Sequence, residues 1–251
     1  MQFKLIFVIL NLLSTLAFAE ETNLFQVNYL TQSNDSLHSL QKKPDTKIYA
    51  GMNKEKDNIR MLEDGYDLMG TSAFQGPFTE PNQALKHAQS IEADVVLVYD
   101  RKINEMTRTE RLRQIHAEMK KSSKSEKNSV IEVSEADLQD KNSKFDFYAT
   151  YWAKLPQPIL GLHVIKLIKK NSDTKEKKEE AGLKVIAVIK DSPAFKSGIQ
   201  KGDVILVLND VNTESPEEFS KSVFKQQGTK VKIKYLRDDE EKVVFAELNR
   251  R

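Results

Sequence analysis

Apolar residues recur with two different spacings in the first large patterned region of the chain, residues 47–155. Alternating or continuous apolar runs predict strands at residues 47–50, 66–74, 95–99 and 145–152. Between the first three runs, apolar residues at helical spacing predict one helix capped by Asn53, running to about Glu63 and stopped by Gly65, and another beginning near Pro81. The continuous run at 95–99 is typical of a strand buried on both faces. This order of elements predicts a small α/β module.

A charged block, residues 101–144, interrupts this pattern. Its few apolar residues include Leu112, Ile115 and Met119, whose spacing indicates a partly exposed helix over residues 104–121. Strand character returns at Phe145, so we interpret the block as an insertion between two strands of one sheet. Its basic residues alternate with glutamates, which favours a solvated helix over a surface for anionic lipid, and membrane contact is not expected.

Two prolines, Pro156 and Pro158, mark a domain boundary, because proline cannot take part in a continuous strand ladder. Ser192-Pro193 predicts a single helical turn, and Ser215 with Glu218 forms a capping box for a helix reaching about Gln227. A charged loop is expected at residues 169–180. Strands are predicted at residues 160–168, 183–189, 204–208, 231–235 and 243–248. The fold class is therefore α+β, with a second domain at residues 156–251.

The N-terminal residues have the pattern of a secretory signal peptide. Lys4 precedes an apolar run at residues 5–13, and Ala17-Phe18-Ala19 offers a small-x-small cleavage site. The run is too short to span a bilayer, so we expect cleavage near Ala19 and a periplasmic or secreted protein; the alternative is an uncleaved anchor. Residues 20–46 are polar and predict a leader arm of weak order, with a possible short strand at residues 25–29.

Composition excludes several functions. The chain has no cysteine, and its 39 basic and 37 acidic residues nearly balance, so neither disulfides nor a nucleic-acid partner is expected. No motif for a nucleophilic serine, a catalytic zinc or a phosphate loop is present. The histidines lack the paired spacing of metal ligands; they are His38, His87, His116 and His163. We therefore predict no catalytic residues, no metal and no cofactor, and a protein that is not an enzyme.

Three strings in the second domain resemble the PDZ family, in the bacterial form attached to exported trypsin-like and tail-specific proteases. They are Ile-Leu-Gly-Leu at residues 159–162, DSPAFKSGIQKGDVILVLNDV at 191–211 and GTKVKIKYLRDDE at 228–240. The resemblance implies a partly open β-barrel with two helices. It also implies a peptide groove between a strand at residues 162–168 and a helix at residues 216–227.

The first region is similar to a small α/β module of uncharacterised bacterial exported proteins, which precedes a PDZ domain and brings no activity with it. This similarity rests on residues 63–66, 70–74, 93–99 and 149–152.

The candidate binding residues follow from how such a groove works. An extended peptide adds to an exposed strand edge, and backbone N–H groups receive its terminal carboxylate. Gly161 gives the loop the freedom to aim those amides, while Leu160 and Leu162 would line a pocket. Phe219 and Val223 fit core packing equally well, and His163 is expected to be a surface histidine. The candidate residues are Leu160, Gly161, Leu162, His163, Val164, Phe219, Ser222, Val223 and Gln226.

Together these patterns predict an exported, non-enzymatic adaptor or scaffold that binds extended peptides or protein C-termini. A regulatory subunit that presents substrates to a separate envelope protease is the main alternative, and a secretion component is another partner considered. A third hypothesis is a carrier that binds a small ligand through the α/β module.

Overall fold

The computed structural model describes residues 22–32, 37–103, 144–170 and 177–251, and six positions between 109 and 117. The described elements with defined bounds are five helices and eleven strands, in two sheets that do not close into a barrel. The α+β class predicted from the sequence is confirmed. The predicted signal peptide, residues 1–19, lies outside the described residues. So does most of the predicted helix at residues 104–121, although its six described positions are helical.

Among the elements with defined bounds, three helices and the first five strands belong to the N-terminal module. The helices are α1 (Leu24–Val27), α2 (Lys54–Glu63) and α3 (Asn82–Ser90). The strands are β1 (Tyr29–Thr31), β2 (Lys47–Ala50), β3 (Tyr66–Gly76), β4 (Val95–Lys102) and β5 (Phe145–Lys154). They form one sheet in the order β1-β3-β5-β4-β2, in which β2 and β4 are parallel and the other pairs are antiparallel.

Strands β4 and β5, which flank the charged block, pair directly with each other. Their register runs from Val95 opposite Trp152 to Lys102 opposite Phe145, and the Ile103 amide then donates to the Lys144 carbonyl at 2.8 Å. The two ends of the block therefore meet at one end of the sheet.

Helix α2 begins and ends where the sequence predicts. The Asn53 side chain accepts a hydrogen bond from the Lys56 amide, as an N-cap residue does. Gly65 follows the helix with φ of +77°, a conformation that glycine adopts without strain. This stop turns the chain directly into β3 and creates a tight corner at residues 63–66.

The polar segment after the predicted cleavage site is more ordered than expected. Phe25, on α1, is fully buried, and its ring lies 4.9 Å from that of Phe74 and 5.9 Å from that of Phe147. Strand β1 follows and pairs with β3, placing Tyr29 opposite Ser72. The expectation of weak order is therefore wrong for residues 24–31, and Phe25 lies on a helix rather than a strand. The packing of Phe25 against these two rings holds an otherwise polar segment on the sheet.

Strand β4 is buried on both faces, as its apolar run predicts. Val96 and Val98 pack on the side covered by α1 and α3, together with Phe147 and Tyr151. The alternate residues of β4 pack on the side of α2, against Trp152; they are Val95, Leu97 and Tyr99. Helices thus cover both faces of the sheet.

The C-terminal domain contains the remaining two helices and six strands. These are β6 (Leu162–Lys170), β7 (Lys177–Val188), α4 (Pro193–Lys196), β8 (Val204–Leu208), β9 (Val211–Asn212), α5 (Pro216–Lys225), β10 (Lys230–Arg237) and β11 (Glu240–Glu247). The sheet order is β11-β10-β8-β7-β6, with β9 paired to β8. The predicted loop at residues 169–180 is shorter than expected. Both of its ends belong to strands, because ladder pairing between Lys169 and Lys178 uses backbone groups and needs no apolar side chain.

One buried ion pair joins β10 to the turn before β8. The Asp203 carboxylate is 2% exposed and receives hydrogen bonds of 2.7 Å from both Nε and Nη2 of Arg237. Arg237 also donates to the Gly198 carbonyl at 2.8 Å, and the Gln200 amide donates to Asp203. The hydrogen bond from Arg237 to Asp203 raises the pKa of the guanidinium above its usual value. It fixes the end of the α4 segment.

Candidate functional site

Strand β6 is an edge strand, and this is the first feature of the candidate site. Within the described residues, its one partner is β7, so the opposite side of β6 carries backbone groups that no strand uses. Helix α5 approaches β6. An edge strand beside a helix is the arrangement in which an extended peptide can add itself to a sheet.

The hydrogen bonds of β7 identify which residues of β6 face the open edge. The Ile189 amide donates to the Gly161 carbonyl at 3.0 Å, so the next pair, Leu162 and Val188, is not hydrogen-bonded in an antiparallel ladder. The Val185 amide donates to the Asp203 carbonyl, and the Val185 carbonyl accepts from the Gly202 amide. Neither group of Val185 is therefore bonded to Val164, the residue opposite it on β6. Leu162 and Val164 therefore direct their N–H and C=O groups to the open edge.

The loop before β6 extends this row of free donors. The carbonyls of Ile159 and Leu160 accept hydrogen bonds from the amides of Asn249 and Ala194, at 3.0 and 2.9 Å. In contrast, the amides of Leu160 and Gly161 donate to no backbone or side-chain acceptor in the part of the chain that the structure describes. With the Leu162 amide, three consecutive N–H groups are available at this loop. Such a nest of amides suits an anionic oxygen.

Glycine is required at the centre of this loop for two reasons. Gly161 has φ of +89°, in the left-handed region. A Cβ atom at this position would also lie 2.3 Å from Cβ of Ser192. Ser192 is the N-cap residue of α4, so the loop packs tightly against the start of that helix.

The apolar neighbours of the loop divide between core and surface. Leu160 is 3% exposed and belongs to the domain core, whereas Leu162 and Val164 are half-buried at its margin. The structure therefore brings Leu160, Gly161, Leu162 and Val164 together, with the last two accessible beside the open edge.

The helix candidates do not all share one side of α5. Phe219 and Val223 are buried in the domain core. Ser222 lines a cavity of about 570 Å³ between α5 and the residues around β9. The Gln226 side-chain oxygen accepts a hydrogen bond from Asn209, at the end of β8. Ser222 and Gln226 thus lie on the β8–β9 side of the helix.

The opposite side of α5 carries an aromatic residue that sequence reasoning did not select. Phe224 is 58% exposed, and its carbonyl accepts a hydrogen bond from the amide of Gln227, in the turn that follows the helix. Gln227 accepts a hydrogen bond from the Arg251 amide, and the neighbouring Asn249 side chain donates to the Pro158 carbonyl. The side that carries Phe224 therefore lies towards the loop that leads into β6. The sequence does contain one signal for Phe224: it lies outside the helical stripe of Phe219 and Val223, so it is an apolar residue that does not face the core.

His163 is not the surface histidine that was expected. Its Nε2 atom is buried and has no hydrogen-bond partner among the residues that the structure describes. Burial lowers the pKa of His163, while the nearby Asp67 carboxylate on β3 acts in the opposite direction. The imidazole is therefore shielded from solvent and lies near enough to Asp67 of the N-terminal module to interact with its carboxylate.

The N-terminal module offers a second place where α/β folds bind ligands, the turn between β2 and α2. Here the Asp57 carboxylate accepts hydrogen bonds from the Met52 and Asn53 amides, both at 2.9 Å, and from the Tyr99 hydroxyl at 3.2 Å. Burial acts to raise the pKa of Asp57, but these hydrogen bonds outweigh it and lower the pKa. A carboxylate of the protein itself thus occupies the position that a bound anion would take.

Two further properties of the described residues bear on function. No three histidine or carboxylate side chains among them form a group that could hold a metal ion. No helix in the described ranges has the length and hydrophobicity needed to cross a membrane.

Comparison with known proteins places one family on the C-terminal domain. The model of the family described as "PDZ domain" matches residues 158–248, and no curated protein matches the chain. Among solved structures, the HtrA-type protease AlgW with a decapeptide is 28% identical, with a TM-score of 0.33, and the match covers 38% of this chain and 30% of that one. The serine endoprotease from Yersinia pestis is 24% identical, with a TM-score of 0.29 and coverages of 37% and 29%.

The HtrA3 PDZ domain bound to a phage-derived ligand (FGRWV) is 18% identical, with a TM-score of 0.31. That match covers 37% of this chain and 85% of that one. The chain thus spans less than a third of the two protease chains but most of the isolated domain.

Proposed function

We propose that the PDZ domain formed by residues 158–248 binds an extended peptide whose free C-terminus lies against the amides of residues 160–162. The observation that carries this proposal is the continuous row of unused backbone donors along the loop and the open edge of β6. A terminal carboxylate can accept several of these N–H groups at once, and the peptide backbone can then pair with Leu162 and Val164.

The side chains around the edge favour an apolar residue at the end of the peptide. Leu162 and Val164 are half-buried on β6, and the exposed ring of Phe224 lies on the side of α5 towards the loop. Burying apolar surface contributes about 25 cal/mol per Å², so an apolar terminal side chain stabilises the complex where a charged one would not.

At the level of the whole protein, we infer an exported, non-enzymatic adaptor or scaffold. The pattern of residues 1–19 supports export, and the PDZ domain supports a role in binding. The N-terminal module would dock a second partner. A regulatory subunit that presents substrates to a separate envelope protease differs from this adaptor in its partner alone, and co-purification from the envelope fraction separates the two.

The test uses the full chain and peptides selected on it by display, labelled with fluorescein and measured by fluorescence anisotropy. We expect micromolar affinity, or about −8 kcal/mol. Amidation removes the charge that the loop amides receive, and hydrogen bonds to charged groups contribute about 1.5–3 kcal/mol, so affinity should fall roughly ten- to a hundredfold. Equal affinity for the free and the amidated peptide would rule out carboxylate capture.

A matched pair of aromatic substitutions tests the groove itself. Phe224→Ser should weaken peptide binding without changing the fold, because the ring is 58% exposed and outside the core. Phe245→Ser is the control, since this residue of β11 is also 58% exposed and lies on the far edge of the sheet. Equal affinities for the two variants would place the peptide elsewhere.

A substitution in the loop tests the row of amides. Gly161→Val should abolish binding, because the new Cβ atom would collide with Ser192.

A further inference from the structure

A corner of the N-terminal module holds the segment that supports the peptide loop. The Lys190 amide, just after β7, donates to the Glu63 carbonyl at 2.9 Å, and the Lys190 ammonium pairs with the Asp64 carboxylate. At the same corner, the Leu155 amide donates to the Gly65 carbonyl at 2.9 Å. We call these contacts the clasp. Two of its bonds join backbone to backbone, so it fixes the position of the chain and not merely that of side chains.

The residue next to the clasp holds the loop directly. The Ile189 amide donates to the Gly161 carbonyl, and the consecutive Lys190 amide donates to the module. A Cβ atom placed on Gly65 would lie 3.5 Å from the methyl carbon Cγ2 of Ile189, so the Ile189 side chain also lies against the corner. If the corner moves and the hydrogen bond from Lys190 to Glu63 is kept, Ile189 must move with it, and so must the hydrogen bond from Ile189 to Gly161.

The chain between the clasp and α4 connects the corner to the peptide loop. Asp191 has φ of +59°, in the left-handed region that aspartate and asparagine adopt more readily than other non-glycine residues. Ser192 follows, in contact with the position of Gly161, and the Ala194 amide then donates to the Leu160 carbonyl. Both residues of the loop are thus supported by residues 189–194, whose first members are tied to the module.

We propose that the N-terminal module sets the geometry of the peptide loop through the clasp, with Asp64 and Lys190 as positioning residues. The inference rests on the proposed function and goes beyond it, because it gives the module a role in peptide affinity. Coupling of this kind is reciprocal: closing the clasp raises peptide affinity, and a bound peptide stabilises the clasp to the same degree.

The test compares charge variants of the full chain with the same display-selected, fluorescein-labelled peptide. Lys190→Glu opposes two negative charges across the clasp and should lower peptide affinity about fivefold, at the weak end of ordinary coupling. Lys190→Arg keeps the charge and should retain the affinity. Asp64→Asn removes the pair from the other side and should also weaken binding. Lys234→Glu, which disrupts a partly exposed pair with Glu241 on β10 and β11, is the matched control and should change nothing.

The effect of the peptide on hydrogen exchange is a second measurement. If the pair of Asp64 and Lys190 were merely structural, adding the peptide would not change exchange at the clasp. Adding the peptide should slow exchange at the amides of Lys190 and Leu155, which donate across the clasp. If Lys190→Glu speeds exchange at these amides while peptide affinity stays that of the wild type, the coupling is overturned and the proposed function stands. If the wild-type chain binds no free C-terminal peptide at all, the proposed function fails, and the coupling fails with it.

Discussion

The cores of the N-terminal module and the PDZ domain are built in different ways. The module depends on a few large aromatic rings brought together from distant segments, as in the group of Phe25, Phe74 and Phe147. The core of the PDZ domain is mostly aliphatic, with residues such as Leu183, Ile205 and Ile233, and comes from one continuous stretch of chain. The PDZ domain adds a buried ion pair that has no counterpart in the described part of the module.

This difference bears on how each region responds to change. Where many aliphatic side chains each bury a small area, substituting one of them removes little of the buried apolar area. Where a few aromatic side chains bury most of it, substituting one removes a large area at once. The following predictions test that contrast in order of decreasing effect, with urea unfolding monitored by hydrogen exchange at amides of each region separately.

The largest effect is expected for Phe25→Ala. Removing a fully buried phenylalanine costs about 3–5 kcal/mol, and the loss should appear at amides of β4 and β5 while those of β8 and β10 keep their protection. Val27→Ala, on the same helix but 66% exposed, should change stability by less than about 0.5 kcal/mol. Equal effects of the two substitutions would show that the arm does not contribute to the core.

A similar or somewhat smaller effect is expected for Asp203→Ala in the PDZ domain. It leaves the Arg237 guanidinium without its carboxylate partner, with the Gly198 carbonyl still accepting one hydrogen bond. Breaking a buried pair in this way costs about 3–5 kcal/mol at most, and less here because Arg237 is 23% exposed. Protection should fall at β8 and β10 and not in the module. Glu241→Ala, which breaks a partly exposed pair, should cost at most about 1 kcal/mol. A loss of that size for Asp203→Ala too would show that the buried pair is not essential.

The smallest effect concerns pH. Burial lowers the pKa of His87, whose ring packs between Tyr29 and Tyr151, so the folded module binds fewer protons than the unfolded chain. Its unfolding free energy should therefore fall as pH decreases below about 6.5, and the loss should be complete below the folded-state pKa. His87→Phe should flatten this dependence at β4 and β5. An unchanged pH profile in that variant would assign the effect to another group.

Much of the fold follows from local sequence signals. The caps at Asn53 and Ser215 and the doubly buried run of β4 are all predictable, since each depends on neighbours a few residues away. The order of residues 24–31 is not predictable in this way, because Phe25 is a buried side chain in a polar segment and its partners lie about fifty or more residues further along the chain. Periodicity carries no information about such a contact.

The candidate site shows the same division. The loop around Gly161 could be identified from sequence because glycine is needed there for backbone reasons. The side of α5 that faces β6 could not, since spacing identifies the stripe of Phe219 and Val223 but does not tell which flank of that stripe meets which strand. For the same reason, no local pattern reveals the burial of His163, which lies near Asp67 of the other region.

The sheet order of the module also decides when the module can form during synthesis. Strand β5 is the central strand, yet it is the last of the five to be made. Until Lys154 has left the ribosome, the earlier strands can form two separate ribbons, β1 with β3 and β2 with β4, and two-stranded ribbons are marginal in water. The nascent chain therefore completes this sheet only when the first residues of the PDZ domain are about to follow.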